Sequence, residues 1–205
     1  MDFFTLAIIV FIGIYLLKTQ EQRRHTLLLA QYLGRYQIEK LMGGLMEGYL
    51  RALGEADPQR REQVWNVLES TEKSLADQLQ AFSKDWSGVD AAQTRVSTLP
   101  LALPYLDRVF PASGFDMREA IALHARAIAT VRVFDSRDEE ERRARAFTMT
   151  AELMLMQYSC HWYCKSRAIA SVRLVARHKT SYEQVIAAVA SQTRRDYFKL
   201  IGQTS

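Results

Sequence analysis

The feature that constrains this chain most is an uncharged apolar run at residues 3–17, FFTLAIIVFIGIYLL. As a helix this run rises about 22 Å, which is shorter than the roughly 30 Å hydrocarbon core of a bilayer. Apolar side chains lie on every face of that helix, and the adjoining Lys18 can extend its ammonium group to the headgroups. Because a bilayer thins locally around a short span, the run predicts a membrane anchor over residues 1–18.

Two other interpretations of the run are a cleaved signal peptide and a helix buried in a protein core or partner. A signal peptide carries basic residues before its apolar segment and small residues at a cleavage site after it. Here Asp2 precedes the run and the sequence KTQE follows it, so the pattern disfavours a cleaved signal. The buried helix remains the alternative to an anchor.

The charges around the run predict its orientation. Lys18, Arg23 and Arg24 follow it, whereas Asp2 and the α-amino group precede it. Positive residues are retained on the cytoplasmic side, so we expect the N-terminus outside and the rest in the cytoplasm. The predicted location is a bacterial-type inner membrane, with these three cations near anionic headgroups.

The composition is that of a folded domain. Hydrophobic residues make up 48% of the 205 residues and charged residues 24%, which argues against disorder. The net charge of +4 is spread along the chain, so we expect no nucleic-acid partner. Cys160 and Cys164 lie four residues apart in one predicted helix, where a disulfide is geometrically unfavourable.

The periodicity of apolar residues is helical almost throughout, with no convincing strand pattern. We therefore predict an all-α protein: a transmembrane anchor at 1–18, a juxtamembrane helix at 19–56, and a cytoplasmic bundle of about five or six helices at 57–205. The proline-rich segment LPLALPYLDRVFP is expected to cap the bundle or line a groove. One helix is predicted to run without a break from the anchor to about Leu53. The other predicted helices are Asp57 to Trp86, Asp116 to Asp135, Asp138 to Lys179, and Tyr182 to Ile201.

Small residues form a stripe on the predicted juxtamembrane helix. Since each glycine in a helix interior costs roughly 1 kcal/mol, a stripe of them indicates compensation by close backbone packing. The partner is either another helix of the same bundle or a helix of a second protein. The stripe consists of Ala30, Gly34, Gly44, Gly48 and Ala52.

Residues 147–164 of the long predicted helix are apolar on two opposite sides, which is typical of a helix at the centre of a bundle. Glu152 lies within this segment. A buried carboxylate must be paired or neutral, so we expect an arginine partner from a neighbouring helix, Arg126 or Arg132.

The sequence CHWYC at 160–164 raises the question of a metal site. It lacks the C-x-x-C-H motif of haem attachment, and no second cysteine pair completes a zinc site. His161 and Cys164 are therefore weak metal candidates only. We predict no metal, no cofactor and no catalytic residue.

Residues 165–179 contain six basic or histidine positions and no acid, with Arg173 and Arg177 on one face of a helix. Such a segment is a solvated helix end, a site for a phosphate or lipid headgroup, or a docking surface for an acidic partner.

From these patterns we hypothesise a membrane-tethered adaptor or structural subunit of an inner-membrane protein complex, rather than an enzyme. It would act through helix–helix contacts, self-association included. The alternative is an enzyme or a small-molecule or metal sensor with a site near Glu152, His161 and Cys164, and a lipid-binding role is a third possibility. The expected partner-contact residues are Gly34, Gly44, Gly48, Arg173, Arg177 and Lys179.

Overall fold

A computed structural model describes residues 3–98, 113–132 and 138–203, and these form an all-α fold, as predicted. Two short antiparallel strands, β1 (Arg95–Ser97) and β2 (Gly114–Asp116), were not predicted. The proline-rich segment at 99–111 lies outside the described residues. The helices are α1 (Phe3–Leu33), α2 (Ile38–Gly54), α3 (Pro58–Ser87), α4 (Ala91–Thr94), α5 (Met117–Arg132), α6 (Glu139–Cys164), α7 (Arg167–His178), α8 (Tyr182–Ala188) and α9 (Ser191–Leu200).

Helix α6 forms the centre of the bundle and contacts α1, α2, α5, α7, α8 and β1. Its middle is buried on both sides, which confirms the prediction made from its two apolar faces. Met149 and Leu155 are completely buried, while Phe147 at the edge of the segment is exposed. Substitution of a large buried residue in this segment by alanine would lower the free energy of unfolding by about 2–5 kcal/mol.

Helix α1 has two parts. Its first part is apolar and exposed, and by length and composition α1 can cross a membrane. Its last turns join the bundle, where Leu29 is buried against α3 and α6. One helix thus serves both as a candidate membrane span and as an element of the core.

The prediction of a single helix from the anchor to Leu53 is wrong, because the chain turns at residues 34–37. Contacts to α3 hold this turn. The Tyr36 hydroxyl donates to Asp85 at 2.8 Å, and the backbone N–H of Gln37 donates to the Gln78 side chain at 2.6 Å. Because these contacts to α3 stabilise the turn, the helix ends here although residues 34–37 include no proline.

Two other predicted helices are also divided. The helix predicted from Asp138 to Lys179 ends at Cys164, and Ser166 caps α7 by accepting from the Ile169 N–H at 3.2 Å. The predicted final helix is divided into α8 and α9 at residues 189–190, where the backbone is extended.

Helix α3 agrees with its prediction, and α5 agrees with its own as far as Arg132, since the predicted end at Asp135 lies outside the described residues. Asp57 caps α3 by accepting from the N–H groups of Gln59 and Arg60, and Pro58 occupies the first helical position. The inward face of α5 is made of six buried residues: Met117, Ala120, Ile121, His124, Ile128 and Val131.

The predicted stripe of small residues is not one surface, since Gly34 lies in the turn between α1 and α2. Gly48 packs inside the bundle, where a Cβ atom would overlap the Leu68 side chain of α3. Gly44 is exposed, and a Cβ atom there would meet nothing within 4 Å. Contact of Gly34 or Gly44 with another protein stays a prediction.

The two glycines of α2 should respond oppositely to alanine. Gly44→Ala should stabilise the protein by up to about 1 kcal/mol through helix propensity alone. Gly48→Ala should lower stability by about 1 kcal/mol, because overlap with the buried Leu68 outweighs that gain. Thermal unfolding of the full chain in detergent measures both. Equal effects of the two substitutions would contradict the packing of Gly48 on α3.

Candidate functional site

The junction between α1 and the bundle is made by hydrogen bonds and ring stacking. The Gln22 side chain donates to the Lys165 carbonyl at 2.9 Å, and His25 Nδ1 donates to the Tyr163 carbonyl at 3.0 Å. The His25 ring also stacks on Tyr163, with ring centroids 4.4 Å apart. These contacts begin about one turn after Lys18, so the end of α6 lies close to where the apolar part of α1 stops.

The predicted membrane-flanking residues lie around this junction. Lys18 is half-buried, while Arg23 and Arg24 are exposed on α1. All three lie within two turns of Leu17, the last residue of the apolar run. Their cationic groups are therefore concentrated at one end of the candidate span.

Helix α7 presents an exposed surface of mixed character, which we call the α7 surface. Ala170 and Leu174 face the bundle, so the opposite side of the helix faces solvent. Three aliphatic side chains on that side are 42–64% exposed. The α7 surface consists of Ile169, Val172, Val175, Arg173, Arg177 and Lys179.

The electrostatic environment of the α7 surface is basic. Arg173 donates to His161 Nδ1 at 3.1 Å, which leaves His161 neutral in this contact. Burial lowers the pKa of His161, and the nearby Arg173 and Arg177 lower it further. Helix α7 itself contains no acidic residue. The surface therefore favours contact with anionic groups.

The weak metal candidates do not gather a ligand set. His161 Nδ1 is bonded to Arg173, and burial raises the pKa of the Cys164 thiol, which disfavours the thiolate that binds metals. Within the described ranges, no group of three or more His, Cys, Asp or Glu side chains is placed to hold a metal ion.

The three residues of the alternative site are not brought together. Glu152 lies against the start of α9, His161 lies against α7, and Cys164 lies beside Thr26 of α1. The three side chains thus contact different helices, and the enzyme or sensor hypothesis stays a prediction.

The arginine partner predicted for Glu152 is wrong. Its Oε1 accepts from the Ala190 N–H at 3.0 Å, and its carboxyl group also interacts with Thr193. Arg126 is exposed, and Arg132 lies near Glu72 instead. The carboxyl group of Glu152 thus accepts from the N–H of Ala190, the N-cap residue of α9, whose own side chain makes no cap hydrogen bond. Burial raises the pKa of Glu152 to about 7.

A second buried carboxylate, Glu72 on α3, was missed. The Tyr49 hydroxyl donates to its Oε1 at 2.6 Å, and Arg145 donates to its Oε2 at 3.3 Å. Burial raises the pKa of Glu72, whereas Tyr49 and Arg145 lower it. Its position between Leu68 and Leu75 on the apolar stripe of α3 is the signal that could have identified it.

A third buried polar group joins three helices. His124 Nε2 lies 2.9 Å and the Tyr197 hydroxyl 3.2 Å from Ser159 Oγ, and Ser159 donates to the Leu155 carbonyl at 3.0 Å. Burial lowers the pKa of His124 to about 3, so its ring is neutral. Although Ser159 and His124 are in contact, the Ser159 hydroxyl donates its proton to the Leu155 carbonyl, and both side chains are inaccessible to solvent. The cluster therefore connects α5, α6 and α9 structurally.

Comparison with known proteins adds no relative, since no protein-family model, curated protein or solved structure matches this chain.

Glu152 should make stability depend on pH. A carboxyl group with a raised pKa binds its proton more tightly in the folded state, so stability is lost as pH rises from about 4.5 to 7. Glu152→Gln removes this titration, and its stability relative to the native chain should rise by about 3 kcal/mol over that range. Chemical denaturation at several pH values measures the difference.

The control for this experiment is Glu47→Gln, which makes the same change on the exposed side of α2. Its stability curve should run parallel to that of the native chain. A parallel curve for Glu152→Gln as well would show that Glu152 is not the titrating group.

Proposed function

We propose that this protein is a membrane-anchored adaptor or structural subunit, which holds a helical bundle against the membrane and presents one helix to a partner protein. The junction supports this proposal, because α1 enters the bundle without a linker and is fixed to α6 through Gln22 and His25. The bundle therefore has a set orientation relative to the span.

The proposed location is the cytoplasmic face of a bacterial-type inner membrane. The cations Lys18, Arg23 and Arg24 support it, since they follow the apolar part of α1 and resist translocation. Tethering at this surface raises the effective concentration of the bundle for other membrane-bound proteins.

The observation that carries the proposal is the α7 surface. Exposed Ile169, Val172 and Val175 provide an apolar row on a folded helix, and Arg173 and Arg177 lie beside it. Apolar contact supplies affinity, whereas the guanidinium groups select carboxylates and set the orientation of the partner. An acidic amphipathic helix of another subunit matches this combination.

A photocrosslinking amino acid placed at Val172 tests the partner contact in native membranes. Val67 of α3 is the matched control, because it is 65% exposed and Val172 is 64% exposed. We expect a discrete crosslinked protein from position 172 and none from position 67. Charge reversal by R173E and R177E should abolish the product, since both guanidinium groups would be replaced by carboxylates.

The mass of the product distinguishes a second copy of this chain from another subunit, and both outcomes fit an adaptor. Equal crosslinking from positions 172 and 67, or none from position 172, would remove the α7 surface as a docking site.

The topology is tested separately by protease digestion. A protease added to intact spheroplasts should leave the bundle undigested, whereas the same protease should digest it in inverted vesicles, because only there is the cytoplasmic side exposed. Digestion in spheroplasts would reverse the orientation, and extraction by alkaline carbonate would remove the anchor from the proposal.

A further inference from the structure

A small cleft lies between the last turns of α6 and helix α7. Its volume is about 10 Å³, which is the space of one water molecule or of one oxygen atom of a ligand. Its buried lining includes Tyr158 and Leu174. The polar side chains that line it come from both helices and include no acid: Gln157, His161, Arg173, Arg177 and His178.

Two of these side chains carry positive charge that the described part of the chain does not balance. Arg173 and Arg177 lie about one turn apart on the same face of α7. The ion pairs formed among the described residues include neither of them. The pKa of His161 is lowered first by burial and then by Arg173, Arg177 and His178, so the two guanidinium charges act on this ring. An anion at the cleft would therefore meet two guanidinium groups and no carboxylate of the lining.

Arg173 holds the neutral His161 ring in one tautomer. A guanidinium group can only donate, so His161 Nδ1 accepts its hydrogen bond at 3.1 Å, and the ring proton lies on Nε2. In the described part of the chain no other residue is bonded to Nε2. His178 Nε2 lies 3.0 Å from Gln157 Oε1, which holds the second imidazole ring at the cleft. The cleft thus has three donor groups: the Nε2–H of His161 and the two guanidinium groups.

The end of α7 also attracts cations, and it does so through a different residue. Lys179 is the C-cap residue of α7 and donates to the Ala176 carbonyl at 3.2 Å. A cation at this position stabilises the negative end of the helix dipole. Arg173 lies more than one turn before the end of the helix and is bonded to His161 instead. The helix dipole therefore accounts for Lys179 but not for the contact between Arg173 and His161.

We propose that this cleft binds a phosphate group supplied from solution, as inorganic phosphate or a soluble phosphate monoester. Such a group is close to a dianion at neutral pH, which balances the charges of Arg173 and Arg177. Guanidinium groups match phosphate oxygens in geometry, and three free oxygens match the three donor groups. A carboxylate has only two oxygens, so it would leave one donor without a partner. One phosphate oxygen enters the cleft, and the rest of the group stays at the surface.

The position of the cleft favours a ligand from solution over a lipid headgroup. His25 follows Leu17 by eight residues, about 12 Å of helical rise, and it contacts Tyr163 of α6. The two hydrogen bonds of the α1 junction show that α1 and α6 run in opposite directions. His161 therefore lies farther from the apolar run than Tyr163 does. If α1 spans a membrane, the cleft lies beyond the headgroup region, which is roughly 5–8 Å deep.

The phosphate site does not depend on a protein partner. Arg173 and Arg177 also belong to the α7 surface, so a bound phosphate would compete there with an acidic partner, a consequence that rests on the proposed function. Phosphate binding is measured without any partner, whereas crosslinking from Val172 reports on the partner. The failure of one proposal can therefore be distinguished from the failure of the other.

The test uses the full chain in detergent with ¹³C-labelled histidine, because its four histidines report on different places. Inorganic phosphate is added at constant pH and ionic strength, with chloride as the balancing anion. We expect the NMR signals of His161 and His178 to shift and to saturate at roughly 1–10 mM phosphate, the range of weak binding by exposed charged groups. The signals of His25 and His124 should not move, since they lie at the α1 junction and in the core. Equal shifts of all four signals, or no shift of His161, would overturn the site.

Arg177→Gln and Arg51→Gln form a matched pair, because both arginines are exposed in the last turn of a helix and only Arg177 lines the cleft. Arg177→Gln should raise the half-saturating phosphate concentration about tenfold, the loss expected for one charged hydrogen bond. Arg51→Gln should leave it unchanged. Equal phosphate affinity of the two variants would contradict the role of α7 in the site.

Nanodiscs distinguish the two sources of a phosphate group. Phosphatidic acid presents a phosphate monoester at the membrane surface, so its addition to phosphatidylcholine discs should leave His161 and His178 unshifted. Inorganic phosphate added to discs of phosphatidylcholine alone should shift both signals. A shift caused by phosphatidic acid would show a lipid ligand and overturn the assignment to a soluble one.

Discussion

The packing of the last turns of α1 against the end of α6 is the contact on which the rest of this structure depends. Through His25 and Tyr163, and through Gln22 and the Lys165 carbonyl, a helix that can span a membrane becomes part of the core. The α7 surface takes its position from this contact, since α7 begins two residues after Lys165.

Sequence periodicity predicted the helices that bury one clear apolar face, and it failed where the chain breaks. Helix α3 was predicted almost to the residue, because its N-cap and apolar stripe are local signals, and the apolar stripe of α5 is equally local. The breaks near Gln37, Lys165 and Ala190 depend on side chains that are 41, 143 and 38 residues away in sequence. A local sequence pattern cannot predict a helix break that is stabilised by the amide or carboxyl group of a residue far away in the sequence.

For the candidate sites, too, local features could be predicted from the sequence and tertiary contacts could not. The basic character of residues 165–179 could be predicted from charge pattern, but the exposure of Val172 and Val175 required the orientation of α7. Burial of Glu152 was predicted, yet its partner was a backbone N–H rather than an arginine.

The shortness of the apolar run has a mechanical consequence. If α1 spans a bilayer thicker than its apolar run of about 22 Å, the run has no spare length for tilting, since tilt would draw Lys18 into the hydrocarbon. In that case the short run favours an upright α1, and the hydrogen-bonded junction passes this orientation on to the bundle. A partner of the proposed adaptor would then meet the α7 surface at a distance from the membrane that is set by the length of the apolar run.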